Sequence, residues 1–241
     1  GRVNAIAIDP NNSNIIYVGT PSGGIWKSTD NGVNWIPLSD FLPQIGVSGI
    51  AIDPNDSNTL YISTGDDDAG DSYSIGVLKS TDGGATWNNT GLSFNYLWQG
   101  SNEIFVDPTN SNIVWVATSE GVYKSSDAGA YWSLILRADI DDLKLKPGDP
   151  TTLYAVSPKS DSNPSKFYKI TGGGTTVTEI ATVPTNSKRF AIEVSEADPT
   201  IVYLLSTYDN GGMTYFDKNA FQGVYKSTDS GNSFTKTLES N

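Results

Sequence analysis

Apolar and polar positions alternate with a period of two along short runs, and clusters of Gly, Asn, Asp, Ser and Pro end each run. Period-two alternation is the mark of a strand with one face buried, so the chain reads as many short strands joined by tight turns. Ala5-Ile6-Ala7-Ile8-Asp9-Pro10 followed by Ile16-Tyr17-Val18 predicts strand, turn, strand. The same pattern returns at Gly49 to Pro54 with Leu60-Tyr61-Ile62, and at Glu103 to Pro108 with Val114-Trp115-Val116. It returns again at Leu143 to Pro147 with Leu153-Tyr154-Ala155, and at Ala191 to Ser195 with Val202-Tyr203-Leu204. After each comes a hairpin pattern, Trp26 to Trp35, Leu78 to Trp87, Tyr123 to Trp132, Tyr168 to Val177 and Tyr225 to Phe234. Five repeats of four strands follow, with approximate limits 2–45, 46–99, 100–138, 139–186 and 187–241, and the 241 residues read as one segment.

Spacing separates what these repeats fix from what they leave free. From the end of strand one to the strand-two aromatic the offsets are 8, 8, 8, 7 and 8, and from the strand-three Lys to the closing residue every offset is 8. Between the strand-two aromatic and the strand-three Lys they are 10, 18, 9, 15 and 23. In an antiparallel meander the turns after strands one and three lie at one edge and the others at the opposite edge. One edge is thus standardised and the other variable, and the variable edge is where binding and catalytic groups are expected.

The hairpin motif is Ser-Thr-Asp-x-Gly-x-x-Trp, carried by Asp30, Gly32 and Trp35, by Asp82, Gly84 and Trp87, by Asp127, Gly129 and Trp132, and by Asp229, Gly231 and Phe234. Its Asp accepts backbone N–H groups and its Gly takes φ > 0, a structural turn whose aromatic packs inward. The fourth repeat keeps the spacing with Gly172 and Val177 in place of Asp and Trp, which reads as a weaker turn.

At these residues the chain resembles the Asp-box, or BNR-repeat, propellers of the sialidase-like superfamily, which also includes sortilin-type and xyloglucanase-type proteins. The stretch Ser63 to Trp87 looks most like repeat segments of large secreted Bacteroidetes-type proteins exported by the type IX route. The resemblance implies an all-β propeller of four-stranded antiparallel blades, five of them here, within a larger ring of seven or eight. It also implies a secreted or cell-surface bacterial protein whose remaining blades belong to the same polypeptide. Sialidases use an arginine triad, whereas this chain has only Arg2, Arg137 and Arg189. Xyloglucanase-like propellers carry a catalytic Asp in the first blade's strand-two loop, where this chain has Thr20-Pro21-Ser22-Gly23-Gly24.

Composition narrows the chemistry further. The net charge of −12 opposes nucleic acid, and the absence of His and Cys removes imidazole and thiolate sites, which leaves carboxylates, Tyr and Lys. No apolar run approaches the roughly 18 residues that span a bilayer, and a start directly on a strand pattern suggests a mature or excised segment. The second repeat's loop crowds Asp66, Asp67, Asp68 and Asp71 together. One reading is a hard-cation site with Asp66, Asp68 and Asp71 as Ca²⁺ ligands; no cofactor is otherwise required. Another pairs Asp66 or Asp68 with Asp209 or Asp217 as glycosidase carboxyls. Tyr73, Tyr96, Trp98, Tyr208 and Tyr215 are candidate sugar-stacking aromatics on the same edge. The favoured function is a non-enzymatic module that binds polysaccharide or protein; the alternative is a glycoside hydrolase.

Overall fold

The computed structural model describes residues 2–42, 45–66, 72–93, 101–209 and 219–239. It is all strand and turn, with five four-stranded antiparallel sheets in simple meander order. The chain divides into two compact units, Gly1–Arg137 and Ala138–Asn241.

The first unit holds three sheets. The first sheet is β1 (Ala5–Asp9), β2 (Asn12–Thr20), β3 (Gly24–Ser28) and β4 (Ile36–Pro37). The second is β5 (Val47–Asp53), β6 (Asp56–Thr64), β7 (Val77–Ser80) and β8 (Asn88–Asn89), and the third is β9 (Ser101–Asp107), β10 (Asn110–Thr118), β11 (Gly121–Ser125) and β12 (Ser133–Leu136). First strands lie side by side, β1 by β5 and β5 by β9, so each sheet stacks on the next and a middle sheet is covered on both faces. That is why β6 ends in five consecutive buried residues instead of alternating. Leu60 and Ile62 pack toward Tyr17, Ile25 and Leu38 of the first sheet. From the opposite face, Tyr61 joins Ile104, Val106, Val114 and Val116 of the third.

The second unit holds two sheets, β13 (Asp142–Lys146), β14 (Asp149–Ser157), β15 (Lys166–Thr171) and β16 (Thr176–Ile180), then β17 (Ser187–Val194), β18 (Val202–Asp209), β19 (Asn219–Ser227) and β20 (Thr235–Glu239). Its core joins Tyr154, Val156 and Phe167 to Ile192, Val202, Leu204 and Phe234. Phe167 meets Phe234 edge-on at 4.7 Å between ring centroids, a favourable aromatic geometry.

The fourth repeat's hairpin differs from the others in its turn and in its strand pairing. Gly172, Gly173 and Gly174 all take positive φ, and β15 pairs with β16 in unbroken register from Phe167–Ile180 to Thr171–Thr176. In the first two sheets only two residue pairs join strands three and four. Without the acidic side chain the turn runs through three left-handed glycines, Gly174 N–H donating to Thr171 O and Gly173 N–H to Thr151 O, and longer strand pairing accompanies it.

Candidate functional site

The standardised edge is built from one hydrogen-bonding pattern used four times. Ser28 Oγ donates to Asp30 Oδ1 at 2.8 Å and accepts Gly32 N–H at 2.8 Å, while Asp30 Oδ1 also accepts Asn34 N–H. Ser80, Asp82 and Gly84 repeat it, as do Ser125, Asp127 and Gly129, and Ser227, Asp229 and Gly231. The residue between Asp and Gly is left-handed in every case, with φ of 58° at Asn31, 70° at Gly83, 56° at Ala128 and 57° at Ser230. Only glycine adopts this conformation freely. Ala128→Gly is therefore expected to stabilise the protein by about 0.5–1 kcal/mol after glycine's own entropy cost, measured by urea unfolding.

Hydrogen bonds hold these carboxyls below the usual carboxylate range. The Thr86 side chain and backbone, then Ser80, pull Asp82 down to about 2. Ser227 and Ser233 do the same to Asp229, also to about 2, and Asp30 and Asp127 are lowered chiefly by backbone bonds from Asn34 and Tyr131. A carboxyl whose pKa is depressed by folding stabilises the fold above its unfolded pKa and loses that contribution as pH falls through the folded value. Melting temperature is expected to fall modestly as pH drops from about 4 to about 2, since these carboxyls are exposed to solvent, and Asp82→Asn should lessen the fall.

The invariant spacings have a cause on this edge, because the turns of the second and third sheets are each gripped by the sheet before them. Tyr17 Oη and Lys27 Nζ both donate to Gly83 O, at 3.3 and 3.2 Å. Tyr61 Oη and Lys79 Nζ both donate to Ala128 O, each at 3.0 Å. Each ammonium also sits over its own sheet's ring, 5.1 Å from the Tyr17 centroid and 5.3 Å from that of Tyr61. Strand-one turns are latched as well, since Ser57 Oγ donates to buried Asp9 and Ser111 Oγ to buried Asp53.

The closing aromatics differ in burial. Trp87 Nε1 donates to Leu38 O of the preceding sheet, and both Trp87 and Phe234 are buried. Trp132 closes on Gly129 O within its own hairpin. Trp35 likewise closes on Gly32 O, but it is 38% exposed, contrary to the inward packing expected, because it lines an open groove.

On the variable edge, Asp66 is buried at the start of the second repeat's loop, where it is salt-bridged to Arg2 and accepts Asn4 Nδ2–H at 3.1 Å. Arg2 Nε in turn donates to Asn4 Oδ1. Asn4 also lines a polar cavity of about 200 Å³ between first strands, together with Ala5, Ser48, Gly49 and Glu103. Residues before and within the first strands therefore meet the second repeat's loop, and this cluster can receive and orient hydroxyl-rich ligands through hydrogen bonds. Tyr73 stands on the same loop and is largely exposed. Tyr208 and Asp209 lie at the end of β18 in the second unit, paired with Ala220 and Asn219. Asp68, Asp71, Asp217, Tyr96, Trp98 and Tyr215 lie outside the described residues. Among the described residues no three carboxylates stand close enough to hold a metal ion.

Two sets of residues on this edge escaped the sequence reading. The first is Arg2, Asn4 and Glu103, to which the sequence pattern assigns no role at this edge. The other set is a hydroxyl three residues beyond each strand-two aromatic, at Thr20, Thr64 and Thr118. Thr20 Oγ1 donates to Gly24 O, Thr64 Oγ1 to Gly76 O at 2.7 Å, and Thr118 Oγ1 to Gly121 O. Each clamps the point where strand three begins, whatever the loop between. Ser157 and Ser206 hold the same position in the other two repeats, so an offset of three was the available signal.

No protein-family model matches the chain. A xyloglucanase from Hypocrea jecorina is 29% identical over 233 residues, covering 82% of this chain and 28% of that protein. A xyloglucanase from a Paenibacillus species is 32% identical over 148 residues, covering 56% of this chain and 14% of its own length. The chain thus spans less than a third of the curated relatives it matches. Among solved structures, the Niastella koreensis GH74 enzyme superposes with a TM-score of 0.73 at 22% identity, over 98% of this chain and 38% of that one. YCF48 from Cyanidioschyzon merolae superposes with a TM-score of 0.59 at 14% identity, over 99% of this chain and 86% of that one. Together with the five meander sheets, these likenesses give the chain its fold: it is all-β, and its sheets are blades of a β-propeller.

Proposed function

We propose that this chain is the blade-bearing part of a polysaccharide hydrolase that acts on a xyloglucan-type glucan, and that its variable edge holds the glycan. The observation that carries this reading is the likeness to a fungal xyloglucanase over 233 residues, 82% of the chain. It shifts the balance from a purely structural or protein-binding module, favoured on the sequence, to the hydrolase alternative. Asp66 supports the reading as a buried, oriented carboxylate on the variable edge with exposed Tyr73 on the same loop.

Glycoside cleavage needs a carboxylic acid and a second carboxylate roughly 5–10 Å apart, with water as co-substrate and no cofactor. Asp66 is proposed as one of the pair. The partner falls outside the first blade's turn, where Thr20 to Gly24 contains no carboxylate and is closed by Thr20 Oγ1. Further blades of the same polypeptide are proposed to complete the groove. A polymeric glucan is too large to enter a cell intact, so the protein is proposed to work outside it, secreted or on the surface.

The test is affinity electrophoresis in xyloglucan gels together with reducing-end release, for the chain and for the longest polypeptide that contains it. Retardation by xyloglucan, weakened by Tyr73→Ala, and release abolished by Asp66→Asn are expected. Migration unchanged by xyloglucan, with no release, would overturn the reading.

A further inference from the structure

On the standardised edge of the first unit, a groove of about 500 Å³ runs between the second and third sheets, lined by Lys79, Asn88, Asn89, Thr90, Gly91 and Asp127 among others. The junction between the first and second sheets fills the same place. There Leu38 Cδ1 stands 2.6 Å from where a Cβ on Gly84 would be, and Trp87 Nε1 donates to Leu38 O. Counting from the closing Trp, Asn88, Asn89 and Thr90 occupy the positions that Ile36, Pro37 and Leu38 occupy one repeat earlier. Thr90 presents only Cγ2 and Cβ to Gly129, and Trp132 Nε1 turns to Gly129 O in its own hairpin. Three polar residues in place of three apolar ones leave the second junction open and wettable.

The third sheet's hairpin departs from its counterparts at the same spot. In the other acidic hairpins the residue four beyond the Asp caps its second oxygen. Asn34 Nδ2 donates to Asp30 Oδ2 at 2.7 Å, and Thr86 Oγ1 and Ser233 Oγ donate to Asp82 Oδ2 and Asp229 Oδ2, each at 2.6 Å. The third hairpin has Tyr131 there, which gives Asp127 only its backbone N–H, on Oδ1. Among the described residues nothing donates to Asp127 Oδ2, and the side chains of Asn88 and Asn89 make no hydrogen bond. Tyr131 is 79% exposed, and its Cα stands at the wall of the groove, 3.5 Å from where a Cβ on Gly91 would be. The exposure belongs to the position and not to an unfilled side, since Thr86 holds it in the middle sheet, which is covered on both faces, and is exposed too.

An exposed ring, an open carboxylate oxygen and two amides at one groove suit a neutral sugar. A pyranose with equatorial hydroxyls lays its C–H face on an aromatic ring and turns its hydroxyls to donors and acceptors at the rim. Lys79 adds to these, because its ammonium has three N–H bonds and gives one to Ala128 O. An anionic ligand would meet a net charge of −12 and the open carboxylate. A peptide adding as a strand would find only the two residues of β8 to pair with. We propose that this groove is a glycan-binding site, separate from the variable edge, that holds a β-linked glucan: Tyr131 stacks on one pyranose while Asp127 Oδ2, Asn88 and Asn89 bind its hydroxyls. The choice of glucan rests on the hydrolase reading, whereas the site rests on the groove. Polymer held here lies on the edge opposite Asp66, so it anchors the protein to its substrate and raises the local concentration of chain at the variable edge.

Affinity electrophoresis of the 241-residue chain in hydroxyethylcellulose and xyloglucan gels, with an amide NMR titration by cellohexaose, tests this. Retardation is expected to weaken severalfold with Tyr131→Thr, which gives Asp127 the cap that Asp82 has, and to persist with Tyr131→Phe, which keeps the ring. The melting temperature of Tyr131→Thr should equal or exceed that of the unsubstituted chain, so that lost binding is not lost folding. Cellohexaose should shift the amide signals of Gly91, Gly129 and Tyr131. The proposal is overturned by retardation in neither gel, by retardation that Tyr131→Thr leaves unchanged or Tyr131→Phe abolishes, or by cellohexaose shifts that spare these three amides. It fails separately from the hydrolase reading. Reducing-end release abolished by Asp66→Asn, beside binding indifferent to Tyr131, keeps the hydrolase and removes this site; binding lost with Tyr131→Thr, beside no release at all, does the reverse.

Discussion

Tyr61→Ala is expected to destabilise the first unit by about 3–5 kcal/mol, the range for removing a fully buried aromatic from a packed core. The ring lies between two sheets at 0% exposure, under Lys79 and beside Val114 and Val116. Its hydroxyl donates to Ala128 O in the next hairpin. Burial, with the charge of Asp53 adding to it, pushes the phenol up to about 12, so the donor keeps its proton across the neutral range. Tyr61→Phe keeps the ring and should cost about 1 kcal/mol, the net worth of one hydrogen bond. Urea unfolding of both variants checks the division. If Phe costs as much as Ala, the hydrogen bond and not the packing joins the sheets.

Gly231→Ala should cost the second unit about 2–4 kcal/mol, from left-handed strain and overpacking together. Gly231 has φ +74, and an added Cβ would stand 2.8 Å from Tyr154 Cε1 and 3.2 Å from Cδ1. Tyr154 cannot retreat, since it is fully buried and its ring lies 5.9 Å from that of Phe167. Gly148→Ala is the control. It has a similar φ of +71 but nothing within 4 Å of the added atom, so only the strain of about 1 kcal/mol remains. Equal losses at the two positions would mean that the close approach of Tyr154 plays no part in requiring glycine.

The strand pattern, the four-stranded repeats and the turn role of Asp30, Asp82, Asp127 and Asp229 were legible because they depend on local periodicity and on hydrogen bonds spanning a few residues. Contacts between sheets were not. The Lys in each strand three served as a ruler for spacing, yet in the first two sheets its work is to reach a carbonyl about fifty residues away, as Lys79 does at Ala128. Asp9 and Asp53 read as strand ends, whereas each is also the acceptor for a Ser in the next sheet. Asp66 was legible as an acidic loop residue, but its neutralisation by Arg2 was hidden by a separation of 64 positions. Trp35 looked identical to Trp87 in the motif, and only the neighbouring sheet distinguishes a buried indole from an exposed one.

The threonine clamps bear on how such a protein diversifies. Thr64 closes the base of a long loop with the same hydroxyl-to-carbonyl bond that Thr118 uses to close one made of Ser119 and Glu120. Loop length is thereby uncoupled from strand pairing, and the extra closure entropy of a longer insert grows only slowly with its length. The blades behave as sockets with a fixed mouth. New specificities can be plugged in between the threonine and the returning glycine by recombination or by design, one loop at a time, without retuning the scaffold that holds them.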